Sequence, residues 1–318
     1  MNKPIEVHYN KYLTKISLKT LLIISIEFFG FNTFGTVIVF LCIITIKTQY
    51  FGLNIITQIM KKNLLIVLVL LACMPTFAQK ESAYKAGEWF KFKMSYSGWM
   101  KAGEATMELK EKKLKGKPVF HVVGKGKTTG AISWFFKVRD RYESYFDKEN
   151  NLPYKFVRDI NEGGHTKKLE IEFDQENQKA HVNNIKKKRK TTHDTEPSVQ
   201  DMVSAFYYLR NNYDTTNIKP GDEVNLTMFF DYENYNFKLK YLGVETIKTN
   251  FGKVKCLMFR PYVMAGRVFK EEESLTLWVS ADKNKIPLRL KADLAIGSLR
   301  ADLEAFRGLK HPFEIQFD

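Results

Sequence analysis

The chain has 318 residues and a mass of 37.1 kDa; 44% of the residues are hydrophobic, 27% charged and 14% aromatic, and the formal net charge is +15. That balance excludes a disordered, collagen-like or low-complexity chain, which would lack the apolar surface needed to offset the entropy of ordering. It leaves a globular protein of one or two domains, once targeting segments are set aside.

Leu21 to Ile46 is long enough to span a bilayer but is interrupted by Glu27 and Asn32. Residues 1–59 are read as upstream sequence ahead of a start at Met60, with a membrane anchor as the alternative. Residues 60–78 have the layout of a secretory signal peptide: Lys61 and Lys62, an apolar run from Leu64 to Ala72, then Pro75, Thr76 and Ala78 before a cut at Gln79. Leu70 to Cys73 approximates a lipobox, so lipidation at Cys73 is the competing outcome. The exported part, 79–318, is then a single β-rich domain with a net charge of +10. Of the three cysteines only Cys256 lies in it, which leaves no intramolecular disulfide and, inside an alternating apolar run, marks a buried structural thiol.

From Gly87 onward apolar and polar residues alternate in runs bounded by Gly, Pro, Asn and Asp, the pattern of antiparallel strands with one buried face. Strands are expected over 88–97, where Phe90, Phe92, Met94 and Tyr96 share a face, and over 104–110, 119–124, 137–147, 154–160, 167–174 and 179–183. Lys186 to Ser198 reads as a solvated loop ending in helix-start chemistry at Pro197 and Ser198. A helix is predicted over 199–210, with Met202, Val203, Phe206, Tyr207 and Leu209 on its apolar face. Strands resume over 223–232, 236–241, 244–249, 253–262, 273–280, 287–293 and 298–306. Turn markers recur between the two strand sets: Gly87 with Gly221, Gly116 with Gly252, and Pro153 with Pro287, at offsets of 134, 136 and 134 residues. The expected fold is mainly β: a large, strongly curved antiparallel sheet, open or partly closed into a barrel. Its pseudo-repeated halves, about 87–184 and 221–306, are joined by the one internal helix.

Catalytic signals are sparse. No HExxH, paired helical histidines or cysteine cluster supports a metal site, and no GxSxG, P-loop or dinucleotide fingerprint follows a strand. No cofactor or metal is expected. The segment Gly124 to Gly130 reads as a lysine-rich hairpin, and His121 as a packed core histidine. The basic run Lys186 to Lys190 reads as solvated, since an exported chain meets no nucleic acid; anionic lipid or polysaccharide is the alternative partner. Aromatic residues are in surplus in the first half, more than core packing requires.

Four segments carry a resemblance: GEWFKFKMSYSGWMKAGEATMEL, DRYESYFDKENNLPYKF, DMVSAFYYLR and LTLWVSADKNKIPLRLKADLAIGSLRADL. Across nearly all of Gly87 to Leu303 the chain resembles the bacterial domain of unknown function 3108. The resemblance implies an exported, mainly antiparallel β protein of the cell envelope, without an assigned activity or cofactor. It also marks Asp201, Ser204, Tyr207, Tyr208 and Arg210 as the helix motif, with Asp201 and Arg210 fixing the helix to the sheet as the plainer role.

The expectation is therefore a non-enzymatic envelope protein whose curved sheet holds an amphipathic or glycan ligand or a partner segment. Trp89, Trp99, Trp134, Phe136, Tyr145, Tyr207, Tyr208 and Arg210 are the candidate contacts; Asp201 and Ser204 are structural. The alternatives are a glycan hydrolase using Glu143 and Asp147, which lie four apart on one strand face, and an assembly subunit pairing through edges or aromatic patches.

Overall fold

Among residues 81–262, 274–294 and 297–316, which a computed structural model of the chain describes, the alternating runs become fourteen strands. They are β1 (Trp89–Tyr96), β2 (Met100–Leu114), β3 (Lys117–Thr128), β4 (Arg139–Asp147), β5 (Pro153–Glu162), β6 (His165–Asp174), β7 (Lys179–Asn184), β8 (Arg189–Asp194), β9 (Glu223–Phe230), β10 (Glu233–Thr249), β11 (Gly252–Tyr262), β12 (Leu275–Ser280), β13 (Pro287–Asp293) and β14 (Ser298–Arg307). Two helices accompany them, the single turn α1 (Ile132–Phe135) and α2 (Met202–Asn212). The secretory pattern at 60–78, the segment 1–59, Cys42 and Cys73 fall outside the described residues.

All fourteen strands form one antiparallel sheet in the order β8-β7-β6-β5-β4-β3-β2-β1-β14-β13-β12-β11-β10-β9. Each half is an up-and-down meander, and the halves meet where β1 pairs with β14. The strands β8 and β9 are therefore the free edges, and α2, which follows β8 and precedes β9, joins one edge to the other. The sheet is curved and does not close into a barrel. The β9 end instead meets β5 to β7 through side chains. Phe229 packs with Phe156, Ile171 and Val182, and Asp231 accepts from Arg158 Nη1 at 2.5 Å and Lys167 Nζ at 2.6 Å. Burial pushes the Asp231 carboxyl up, but these two cations outweigh it and hold it below the usual carboxylate range.

The halves are built alike. The first residues of β1 to β6 reappear as those of β9 to β14 at a displacement of 133–136 residues. The Gly87 amide donates to the Leu109 carbonyl and the Leu109 amide to the Glu88 carbonyl, both at 2.9 Å; Gly221, Tyr241 and Asp222 repeat the pair at 2.8 Å. Every ladder and core cluster among the described residues lies within Gln79–Asp318, one compact unit that supplies its own core.

Three local expectations are corrected. Lys186 to Ser198 is not one solvated loop: Arg189–Asp194 is the edge strand β8. It pairs only with β7, and its side chains are mostly exposed, so no apolar alternation announces it. The helix starts at Met202 rather than Val199. Val199 and Gln200 remain extended because the Gln200 amide donates to the Thr227 carbonyl and its carbonyl accepts from Phe229, joining it to β9. The predicted strands 236–241 and 244–249 are one strand, β10, with a register shift between Tyr241 and Gly243. Gly243 sits there at a φ of +138°, a value L side chains rarely adopt, and the break it leaves in the alternation mimics a turn.

Candidate functional site

The sheet face that packs on α2 carries the best-defined chemistry, and α2 presents it two different sides. On one side Asp201 is the N-cap. Its carboxylate accepts from the Val203 and Ser204 amides at 2.7 and 2.8 Å, while the Asp201 amide donates to Ser204 Oγ at 2.9 Å, a reciprocal capping box. Ser144 of β4 donates to the other carboxylate oxygen at 2.6 Å, tying the cap to the sheet. Complete burial raises this carboxyl to about 6, against the hydrogen bonds that favour its ionised form.

Nine residues further along, Arg210 is buried against Glu88, with Nη1 and Nη2 donating to the two carboxylate oxygens at 2.6 and 2.7 Å. Its Nε and Nη2 also donate to the Asn284 carbonyl at 3.0 and 2.8 Å. The rings of Tyr84, Phe90, Phe206 and Tyr207 lie 5.2–5.7 Å from the guanidinium, so the cation is enclosed by π faces as well as paired. Tyr207 packs edge-on against Tyr84 with ring centres 4.7 Å apart, in a core with Leu109, Val122 and Phe146. These four motif residues, Asp201, Ser204, Tyr207 and Arg210, are bound into the interior, and Arg210 joins the residue before β1 to the β12–β13 turn.

The opposite side of α2 faces open space. Met202, Ala205, Phe206 and Leu209 form one wall of a cavity of about 410 Å³; the other is built by Met228, Phe230, Tyr235, Phe237, Leu239, Pro261 and Leu277 from β9 to β12. A second cavity, about 620 Å³, lies on the same sheet face in the first half. Phe92, Met94 and Tyr96 of β1 form one side, Ile132 and Phe136 around α1 another, with Leu294 and Leu299 beyond. Its floor is made by small residues at successive inward positions: Ala105 on β2, Gly124 and Gly126 on β3. A Cβ on Gly126 would meet nothing within 4 Å. The segment read as a lysine-rich hairpin thus alternates glycines that bare the inner face with Lys125 and Lys127 turned outward. Asp140 and Tyr142 supply polar groups here, and burial raises the Asp140 carboxyl to about 6.

The candidate contacts are not brought together. Phe136 lines the larger cavity. Trp89 lies on the outer face under Arg307, 5.0 Å from its ring centre, and Tyr145, also outward, stacks on His121 with centres 4.0 Å apart. Trp99 and Trp134 are 79% and 86% exposed. Tyr208 is half-buried, its carbonyl accepting from Asn212. Of the cavity walls, Met202 and Leu209 were legible only as the apolar face of a helix and Phe230, Phe237 and Leu277 only as apolar alternation, neither of which separates a wall from a core.

Glu143 and Asp147 share the outward face but have separate tasks. Glu143 accepts from Arg141 Nε at 2.7 Å, lies 2.7 Å from His121 Nε2 and accepts from the Tyr145 hydroxyl at 3.3 Å. Asp147 accepts from the Glu149 and Asn150 amides and the Tyr154 hydroxyl, closing the β4–β5 turn. Burial pushes both carboxyls up, yet these donors win and hold both below their ordinary values, so neither is poised to give a proton near neutral pH. Burial lowers His121, against the pull of Glu143. Cys256 is buried, its thiol pushed up to about 12. Among the described residues no group of three or more His, Cys, Asp or Glu side chains is placed to hold a metal.

No curated protein matches the chain. Solved structures that resemble it include a β-barrel-like protein of domain of unknown function DUF1849 from Brucella abortus, at 9% identity and a TM-score of 0.46, covering 72% of this chain and all of that one. A protein described as exported, with a YmcC-like fold, from Bacteroides fragilis aligns at 9% identity and a TM-score of 0.30, over 70% of this chain and 97% of its own. A protein described as a lipoprotein from Parabacteroides distasonis aligns at 10% identity and 0.31, over 71% and 98%. Residues 91–304 match the family described as protein of unknown function DUF3108, and the chain belongs to that family.

Proposed function

We propose that this protein is a non-enzymatic carrier or receptor of the cell envelope that binds an amphipathic molecule by its acyl or similar apolar chain on the inner face of the sheet. The observation that carries the reading is the pair of cavities, about 410 and 620 Å³, walled almost wholly by apolar side chains. Both volumes fall in the range of about 300–1,000 Å³ common to small-molecule sites. Each buried methylene contributes about 0.8 kcal/mol, so about ten of them supply roughly 8 kcal/mol before the cost of association. Apolar walls of this kind favour a hydrocarbon chain over a glycan, which would need matched polar partners. The secretory pattern at 60–78 supports an envelope setting.

The test is native mass spectrometry of residues 79–318 purified from bacterial cells, followed by solvent extraction. Retained amphiphile is expected, reduced at least about tenfold by combining Gly126→Leu with Leu277→Trp, which fill the two cavities. A wild-type protein that emerges empty and binds no added fatty acid contradicts the reading.

A further inference from the structure

The antiparallel register sorts the turns onto two rims of the sheet. One rim carries the β1–β2, β5–β6, β7–β8, β9–β10 and β13–β14 turns together with α1. Eight large hydrophobic side chains are exposed among the described residues, and five lie on this rim: Trp99, Trp134, Phe135, Phe136 and Ile185. Trp99 follows the tight turn at Ser97 and Gly98, both at positive φ. Trp134 and Phe135, at 86% and 87% exposed, stand on α1, which is fastened beside β2 by the Thr129 amide donating to the Ala102 carbonyl at 3.1 Å. Phe136 reaches along the rim to the β5–β6 turn, where a Cβ on Gly163 would come within 2.4 Å of its ring. Exposed aromatics held this way do not fold back into a core.

Cations accompany them. Lys101 and Lys137 flank the aromatic group, Arg139 opens β4, and Lys186, Lys187 and Lys188 form the β7–β8 turn beside Ile185; all are exposed. Among the described residues the acids facing the rim are fewer. Asp231 is already taken by Arg158 and Lys167, Asp293 lies 2.9 Å from Lys291, Asp140 accepts from the Asn161 amide at 3.1 Å, and Glu162 and Glu233 remain. The larger cavity opens among the same strand ends, with Tyr96, Ile132, Phe136 and Leu294 in its wall. Tryptophan and phenylalanine bordered by lysine is the composition that seats a protein at the boundary between headgroups and acyl chains, the rings entering and the cations meeting anionic lipid.

We propose that this rim docks on an anionic lipid bilayer, with Trp99, Trp134 and Phe135 inserting at the interface and the Lys186–Lys188 turn contacting headgroups. The docking stands apart from the ligand reading, since it needs no occupied cavity.

The test is flotation of residues 79–318 with vesicles of equal parts phosphatidylglycerol and phosphatidylcholine, or of phosphatidylcholine alone, reading tryptophan emission in parallel. Binding to the mixed vesicles is expected, with a blue shift, at least about tenfold weaker on phosphatidylcholine and weakened by salt. Trp134→Ser with Phe135→Ser should abolish the shift and most of the binding. Lys186→Glu, Lys187→Glu and Lys188→Glu together should lower affinity about 100-fold on the mixed vesicles only. Circular dichroism and melting of these variants should match the wild type, because the side chains are exposed, so lost binding is not lost folding. The cavity-filling variant should float normally, which separates this proposal from the previous one. Failure of the folded wild type to float, or unchanged flotation of the aromatic variant, overturns it. So does a concentration-dependent dimer that the aromatic substitutions dissolve while vesicles are ignored, which would assign the rim to a second copy.

Discussion

The two sides of α2 differ in what they leave unfinished. Toward Glu88, Ser144 and Tyr84 every polar group of Asp201, Ser204 and the Arg210 guanidinium tip is met, and the rings around them close the space. Toward β9 to β12, Met202, Ala205, Phe206 and Leu209 look across about 410 Å³ that no side chain fills. A native interior tolerates few voids above the size of a water molecule, and helices gain most of their stability from packing an apolar stripe. A helix so firmly tied on one side can leave the other open, and the difference separates a packed face from an unfilled one on one element.

Breaking the tied side should have the largest effect. Arg210→Ala leaves Glu88 buried and unpaired and should cost about 3–5 kcal/mol in urea unfolding. Joint replacement, Glu88→Gln with Arg210→Met, should recover much of that loss, because no uncompensated charge remains. A smaller loss, about 1–2 kcal/mol, is expected for Asp201→Ala, which removes the cap.

Asp201 also sets a pH dependence. Its folded value, about 6, lies above the unfolded value near 3.9, so the folded state holds the proton more tightly. The contribution is full below pH about 4 and is lost as pH rises through about 6. Asp140 has the same sign. Asp231, Glu143 and Asp147, held low, act oppositely: their stabilisation is present above their unfolded values and lost as pH falls through the folded ones. Asp201→Asn keeps a capping side chain and should flatten the wild-type decline between pH about 4 and 6, read as denaturation midpoints across that range.

The open side should respond in the reverse manner. Gly126→Leu places a side chain where a Cβ meets nothing, and it also replaces a glycine inside a strand. It should leave stability within about 1 kcal/mol of the wild type, or raise it, while binding of an acyl chain falls. The smallest effect is at the exposed rim: Trp134→Ser with Phe135→Ser should move stability by no more than about 0.5 kcal/mol in the same urea assay.

Much of this architecture is legible in the sequence. Period-two alternation placed the buried strands, and the turn offsets anticipated that β1 to β6 and β9 to β14 correspond. The edge strand β8 escaped because Lys190, Thr191 and Thr192 need no buried face. The single turn α1 escaped because WFF broke the alternation without forming a helical period. At the site, the sequence marks Arg210 as a residue fixing the helix to the sheet, but its partner Glu88, 122 residues away, is legible only once the fold brings the two together. The cavity floor depends on the phase of Gly124 and Gly126 relative to the inner face. That phase could have been read from the flanking lysines, whereas the absence of a facing side chain could not.

The most direct measurement is an equilibrium titration of residues 79–318 with a fluorescent fatty acid. The wild type should bind saturably, and the Gly126→Leu, Leu277→Trp double variant, still melting in one cooperative transition, should bind at least about tenfold more weakly. Equal affinity in the two folded proteins, or no saturable binding by the wild type, would contradict the assignment of the inner face to an apolar ligand.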